Sequence, residues 1–583
     1  MPCARSSNCL LRHKKHMALI IHTDGDTRAT TWRQGEKLTE AAAKAGIALN
    51  TRCAGNGVCG GCAVKLGPGR YRVNGEDLRI VEGCYKSALA CQTEVVEDGA
   101  VVTFPRTSVL EREAVIDDAF SSPHLANRLP AQATTYAAKP GALGLAVDIG
   151  TTTVAAMLVD IHTGEALAKA SMYNQQIRKA DDVASRISYG RSEKEIEELQ
   201  RLVTLETLDP LASRCAAAAQ RDPEHITRVM VSGNTVMTHL FFGLSPASIG
   251  VLPFTPLMRT YPPVHASTLG LLASPEAMVE AVPSVAGYVG GDIVSDIYLT
   301  GLHEPCEATL MIDVGTNGEM VFRDGDRVVA CATAAGPAFE GYGLAHGCRA
   351  ATGAIERIAF DASLDMDIRV IGHTQPTGLC GSAIIDFIAN GLRCGLINEM
   401  GRYNVDVLRA SGRYVQDAAL CGDSIACLIV PAEASGIQGP LCVTEQDIAQ
   451  VLKAKAAIYA GLTTMLETQG LTPQDVKRVY LAGGFARHIS LENAVALGLF
   501  PDIPLHRYEI VGNGSLAGAY LGLLDARVMP AFEAIIDLPE IIELNRVASF
   551  ESHFIDALAL PHFDVSLFPS VFRPSSQNER ISS

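Results

Sequence analysis

Four cysteines stand at a spacing suited to a metal cluster. Cys53-Ala-Gly-Asn-Gly-Val-Cys59-Gly-Gly-Cys62 crowds three thiols into one loop, and Cys91 follows in Leu89-Ala-Cys-Gln-Thr93. Four thiolates suffice to hold a two-iron, two-sulfide centre. A loop wrapped around sulfide needs inward backbone N–H groups, and the glycines at 55, 57, 60 and 61 permit the dihedrals this demands. The competing chemistry is a four-cysteine zinc site. Zinc ribbons pair two short C-x2-C hooks, whereas here three cysteines share a loop and the fourth is alone, which favours iron–sulfur. Cys84 is the alternative fourth ligand, but it lacks the flank that Cys91 has. Others, such as Cys215, Cys331 and Cys427, lie among apolar or small residues and are expected in the core.

A second chemistry comes from two matching turns. Leu145-Ala-Val-Asp148-Ile-Gly150-Thr151-Thr152-Thr153 is an apolar strand ending in an acid and a Gly/Thr turn, and Leu310-Met-Ile-Asp313-Val-Gly315-Thr316-Asn317 repeats the design. Glycine N–H groups and threonine hydroxyls at such turns can approach phosphate oxygens, while Asp148 and Asp313 can orient magnesium-bound waters. Each half then has a later strand closing on small residues: Val229-Met-Val-Ser-Gly233-Asn234 and Val479-Tyr-Leu-Ala-Gly483-Gly484-Phe485. Gly483 and Gly484 would let the backbone pass close to an adenosine. One such turn alone is ordinary turn chemistry; two with matched partners point to a nucleotide. Asp292, in Val289-Gly-Gly-Asp292, is a candidate for orienting an attacking water and equally a candidate N-cap for a helix over 293–299. No G-x-x-x-x-G-K-S/T occurs, and Gly55-Asn-Gly57-Val-Cys-Gly60 spells a dinucleotide fingerprint without the strand and helix that motif requires.

The elements that carry these residues sort into an order. Residues 18–23 read as a strand and 38–45 as a short helix before the cysteine loop, which closes a unit over 17–107. Residues 108–141, with Ser121-Ser-Pro123, Pro130 and Pro140-Gly141, read as a linker. The two halves with matching turns follow over 142–305 and 306–570, leaving a 1–16 extension and a 571–583 tail. Met17, directly before the first strand, offers an alternative start. The chain has 583 residues and 48 Lys+Arg against 64 Asp+Glu, a net charge of −16, so it lacks the basic surplus that nucleic-acid binding needs. With 48% hydrophobic residues it is not generally disordered, and it has no apolar run long enough to span a membrane. The run Ala18–Ile21 is too short for a signal peptide, so a cytoplasmic location is expected.

The cysteine loop resembles [2Fe-2S] ferredoxins, whose fourth ligand sits in a Leu-Ala-Cys-Gln stretch; the C-x5-C-x2-C spacing is closest to the adrenodoxin-like variant. The paired turns resemble the actin, Hsp70 and sugar kinase (ASKHA) ATPases, in which two such turns face each other across a cleft. More specific strings are Val231-Ser-Gly-Asn-Thr-Val-Met-Thr-His239, Ala334-Ala-Gly-Pro-Ala-Phe-Glu340-Gly, Gly378-Leu-Cys-Gly-Ser382 and Leu481-Ala-Gly-Gly-Phe485. They look like the reductive activators of corrinoid-dependent methyltransferases, with departures at Ala180-Asp181 and at Ala383.

The resemblance implies an α/β chain: a ferredoxin-like β-grasp domain, a linker and a duplicated ASKHA fold. It also implies an ATP-hydrolysing enzyme that returns an oxidised cob(II)alamin-type cofactor on a partner corrinoid protein to cob(I). The implied cofactors are a [2Fe-2S] cluster on Cys53, Cys59, Cys62 and Cys91, ATP and Mg2+. The implied partners are a reductase or ferredoxin as electron donor and a second copy of the chain. The rival expectation is a small-molecule kinase with a regulatory iron–sulfur domain. Plant-type centres lie near about −400 mV, and the implied acceptor couple lies lower. A gap of roughly 200 mV for one electron is about 5 kcal/mol, which nucleotide-driven switching would have to supply.

Overall fold

The computed structural model describes residues 17–23, 26–45, 47, 49, 62–105, 108–109, 124–129, 140–180, 182–341, 343–416, 424–437 and 439–572. Cys53, Cys59, the glycines between them and most of the expected linker lie outside these residues. The chain divides into two compact units, Met1–Glu111 and Arg112–Ser583.

The first unit is a mixed five-stranded sheet in the order Asp26–Trp32, Met17–Thr23, Ala100–Thr103, Ala63–Leu66, Lys86–Leu89. Met17–Thr23 pairs antiparallel with its hairpin partner and parallel with Ala100–Thr103. That parallel pair requires a long crossover, the topology of a β-grasp. Leu19, Ile21, Val64, Leu66, Ala100 and Val102 alternate toward one buried face, where the Leu38–Lys44 helix lays Leu38, Ala41 and Ala42.

The second unit contains two six-stranded sheets of one design. The first runs Ala166–Tyr173, Thr153–Asp160, Leu143–Ile149, Ile226–Gly233, Met278–Ala281, Val264–His265. The second, taken in the matching direction, runs Arg327–Thr333, Gly318–Gly325, Cys306–Val314, Arg478–Ala482, Tyr508–Gly512, with Glu540–Ile541 beyond Arg327–Thr333. In both, two antiparallel hairpin strands lead into the acid-bearing strand, which then pairs in parallel with the later one. The acid-bearing strands are apolar on both sides because helices cover both faces.

Within this unit the halves share a core. Ala146, Met230, Ile293 and Ile297 from the first half pack with Met311, Ala482, Leu516 and Leu521 from the second. At its centre the helices Gly291–Thr300 and Gly514–Leu524 cross at backbone distance, so that a Cβ on Gly518 would lie 2.1 Å from Ser295 Oγ and 2.3 Å from Ser295 Cβ. Gly518→Ala is therefore expected to cost about 1–3 kcal/mol by overpacking. A thermal scan should show the midpoint falling by roughly 1 °C for each kcal/mol in a unit as large as Arg112–Ser583. Inside the expected linker, Leu125–Arg128 forms a helical turn whose Leu125 joins this core.

Candidate functional site

Both acid-bearing strands end at one cavity of ≈ 870 Å³ within the second unit. Parallel sheets place their ligand crevices at these carboxyl ends. Asp148, Asp292 and Asp313 line it, as do Gly150, Thr151, Thr152 and Thr153 of the first turn and Gly315, Thr316 and Asn317 of the second. Gly483, Gly484 and Phe485 line it as well. All the residues singled out for phosphate, magnesium and nucleoside thus converge on one space.

The turns are held from behind. The buried Arg186 guanidinium donates to the Thr151 carbonyl at 2.6 Å, and Asn174 donates to the Gly150 carbonyl at 3.1 Å. Asn234 caps the Thr235–Phe241 helix by accepting from the Met237 amide at 3.0 Å, while its Nδ2 donates to Thr151 Oγ1 at 2.9 Å. Across the cleft the hydroxyls of Thr152 and Thr316 lie 3.0 Å apart. Thr316 donates to Glu340 Oε1 at 2.7 Å, and Glu340 Oε2 pairs with Arg349 at 2.6 Å. Arg349 also donates to Thr153 Oγ1 and lies over the Tyr173 ring at 4.5 Å from its centre.

Asp148 belongs to the first half but is oriented by the second. Asn513 Nδ2 donates to it at 2.9 Å and Ser515 Oγ at 2.7 Å, both from the start of the Gly514–Leu524 helix. Burial pushes the Asp148 carboxyl above its usual range, and these two donors oppose the shift. Asp313 is pushed up to about 8 by burial and by repulsion from Asp292 and Asp148. Asp292 rises to about 7, chiefly through burial, against the opposing Ile293 amide. Glu319 and Asp296 are raised well above the normal carboxylate range, again chiefly by burial and then by their acidic neighbours. Asp296 Oδ1 is buried with no hydrogen-bond partner. Among the described residues no three acidic, histidine or cysteine side chains are disposed to enclose a metal directly.

The capping alternative for Asp292 is overturned. The helix spans Gly291–Thr300 with Gly290 as its N-cap, so Asp292 sits inside the first turn, with Oδ1 accepting from the Ile293 amide at 2.9 Å. Beside Asp313, Gly483 has φ +86°, and a Cβ there would lie 2.5 Å from Asp313 Oδ1, so only glycine lets this turn pass the acid. Phe485 stacks with Phe339 at 5.6 Å.

In the first unit, Cys62 and Cys91 are buried at the same end of one strand pair. Ala63 registers with Leu89, and the Cys62 carbonyl accepts from the Ala90 amide at 2.9 Å. Cys84 is exposed beyond the opposite end, where Leu66 registers with Lys86, a pair about 10 Å along the strands from Ala63 and Leu89. This geometry favours Cys91 over Cys84 as the companion of Cys62.

Sequence reasoning left out several residues that the fold brings in. Glu319 is opposite Asp313 in the sheet register, a position readable from the hairpin once its turn is known. Gly512-Asn-Gly-Ser515 is a further strand-ending, glycine-rich turn whose signal lay in plain view. Arg349, far from any motif residue but Glu340, gave none.

Comparison with known proteins matches the chain in three consecutive parts. Residues 21–96 match the 2Fe-2S iron-sulfur cluster binding domain, 143–305 the RACo middle region, and 307–572 the C-terminal domain of RACo, the ASKHA domain. The chain is 34% identical over 406 residues to the corrinoid activation enzyme RamQ of Eubacterium limosum, covering 69% of this chain and 67% of that one. It is 23% identical over 406 residues to the [Co(II) methylated amine-specific corrinoid protein] reductase of Methanosarcina barkeri, covering 64% and 68%. A solved structure of a reductive activator for corrinoid, iron-sulfur protein superposes with a TM-score of 0.70 at 32% identity, covering 95% of this chain and 100% of that one. With a ferredoxin-type domain followed by a duplicated ASKHA fold, the chain belongs to the family of corrinoid reductive activators.

Proposed function

We propose that this chain is an ATP-dependent reductive activator that delivers one electron to the oxidised Co(II) corrinoid of a partner protein in a methyltransferase system, restoring Co(I). Support comes from one observation above all: two matched acid-and-threonine turns meet in a single cavity, in a chain that also carries a four-cysteine cluster motif. Cys53, Cys59, Cys62 and Cys91 would hold a [2Fe-2S] centre, which supplies one electron at a time. Thr151, Thr152, Thr316 and the glycine amides of both turns would grip the terminal phosphates of ATP, and the adenosine would lie toward Gly483, Gly484 and Phe485.

The crowded oxygen donors suit Mg2+, which keeps several waters. Because no three acids among the described residues are disposed to enclose an ion directly, Asp148 and Asp313 would hold it through those waters. Asp292, inside a helix first turn and with its carboxyl pushed up to about 7, would orient a water for attack on the terminal phosphate. The shared core between halves would transmit a change at the turns through the crossed helices.

The test mixes the iron-reconstituted chain with a Co(II) corrinoid protein and a low-potential donor, and follows the cob(I) absorption band. The band should develop with ATP and not without it. Its formation at full rate in the absence of ATP would overturn the coupling.

A further inference from the structure

Glu340 belongs to a family string to which sequence reasoning gave no role, and Arg349 to none. In the fold they form one device. The Arg349 guanidinium spans the cleft: on the first-half side it donates to Thr153 Oγ1 and lies over Tyr173, and on the second-half side it pairs with Glu340. Glu340 uses its other oxygen to accept from Thr316, whose hydroxyl meets that of Thr152. One cation is thus wired to hydroxyls of both turns. The side chains of Arg349 and Glu340 are only 13% and 19% exposed, so their charges are little screened. Arg369, another cation lining the cavity, is 68% exposed and already paired with Glu356.

We propose that Arg349 is a nucleotide-sensing residue that tells a triphosphate from a diphosphate by exchanging Glu340 for the terminal phosphate. The inference rests on the nucleotide reading of the cavity. Arg349 meets Glu340 through Nη2 alone while Nη1 goes to Thr153, and a guanidinium donates to phosphate oxygens as it does to carboxylate, so Glu340 holds a donor that a phosphoryl group could take. The terminal phosphate, gripped at Thr151, Thr152 and Thr316 as in the nucleotide reading, would bring more negative charge to the guanidinium than a single carboxylate does. A diphosphate, which lacks that group, would leave the Arg349–Glu340 pair in place. Since Thr153 and Tyr173 belong to one half and Glu340 to the other, the exchange alters what bridges the halves.

The test is calorimetric titration of the full chain with Mg·ATP and with Mg·ADP. In Arg349→Gln the preference for ATP over ADP should fall by about 10- to 100-fold, nearly all through weaker ATP binding. Glu340→Gln removes the competing anion and should strengthen ATP binding while leaving ADP nearly unchanged. Arg349→Lys, which keeps the charge without the fork, should fall between wild type and Arg349→Gln. Thermal midpoints of each variant report folding independently. Equal weakening of ATP and ADP in Arg349→Gln, or weaker ATP binding in Glu340→Gln, overturns the exchange and leaves Arg349 a strut. Failure of the wild-type chain to bind either nucleotide would instead remove the nucleotide reading, and this inference with it.

Discussion

Cys62→Ser is expected to abolish electron delivery to a corrinoid protein while leaving Mg·ATP binding unchanged. Cys62 is 1% exposed and Cys91 5% exposed, at the closed end of the Ala63–Leu66 and Lys86–Leu89 pair. A serine hydroxyl is a hard, protonated donor at neutral pH and does not replace a soft thiolate on iron. The loss should be complete in the visible absorption and iron content of the reconstituted chain, and it should extend to cob(I) formation. Nucleotide binding should survive because the first unit has its own core, built around Trp32, Tyr71 and Phe104 and, among the described residues, sharing none with the cores of the second. Cys84→Ser, altering an exposed thiol at the far end of the strand pair, should keep the cluster spectrum. A full iron–sulfur spectrum in Cys62→Ser, or ATP binding lost together with the cluster, would defeat this assignment.

The fold was legible in the sequence wherever a strand closes on a chemically special turn. Asp148-Ile-Gly-Thr and Asp313-Val-Gly-Thr could be seen as repeats because each pairs an apolar run with a turn that few residue types tolerate, and local pattern carries that information. The Thr444–Asp447 capping box that opens the long Glu445–Thr468 helix is a local signal of the same kind. What stayed hidden depends on approach between distant segments. Ser515 reaches Asp148, and Arg349 reaches Thr153, only because two sheets share a core whose closest point is set by Gly514 and Gly518. Nothing local to Arg349 distinguishes it from a surface arginine. The Asp292 alternatives shared the same letters; the choice turned on Gly290 taking the cap, a matter of backbone dihedrals.

Raising the pH from about 6.5 to about 8.5 is expected to destabilise the nucleotide-free chain, and Asp313→Asn to blunt that loss. Asp292 and Asp313 titrate near 7 and 8 in the folded chain against an ordinary 3.8, so below these values the folded state binds protons that the unfolded state has released. With more protons on the folded side, stability falls as pH rises. It is full below about pH 4, drops by about 1.4 kcal/mol per pH unit for each such proton, and levels off once pH passes the folded value. Exposed acids with lowered values, such as Asp361 and Asp475, act in the opposite sense at the acid end of the range, and histidines lowered by burial, such as His239 and His346, do so up to their ordinary value of 6.5, which leaves the acids of the cleft to govern the range above it. A divalent cation and protons compete for the same charge, so Mg·ATP binding at pH 7 should release protons and tighten as pH rises toward 8. Asn at position 313 cannot ionise. It should therefore raise the thermal midpoint of the nucleotide-free protein at pH 8.5 while cutting magnesium-dependent ATP hydrolysis by about 10²–10³-fold. Thermal scans across pH, with calorimetry in two buffers of different ionisation enthalpy, check both halves of the claim. A midpoint that stays flat from about pH 6.5 to about 8.5, with no proton release on binding, would mean that the acids of the cleft do not hold protons in this range.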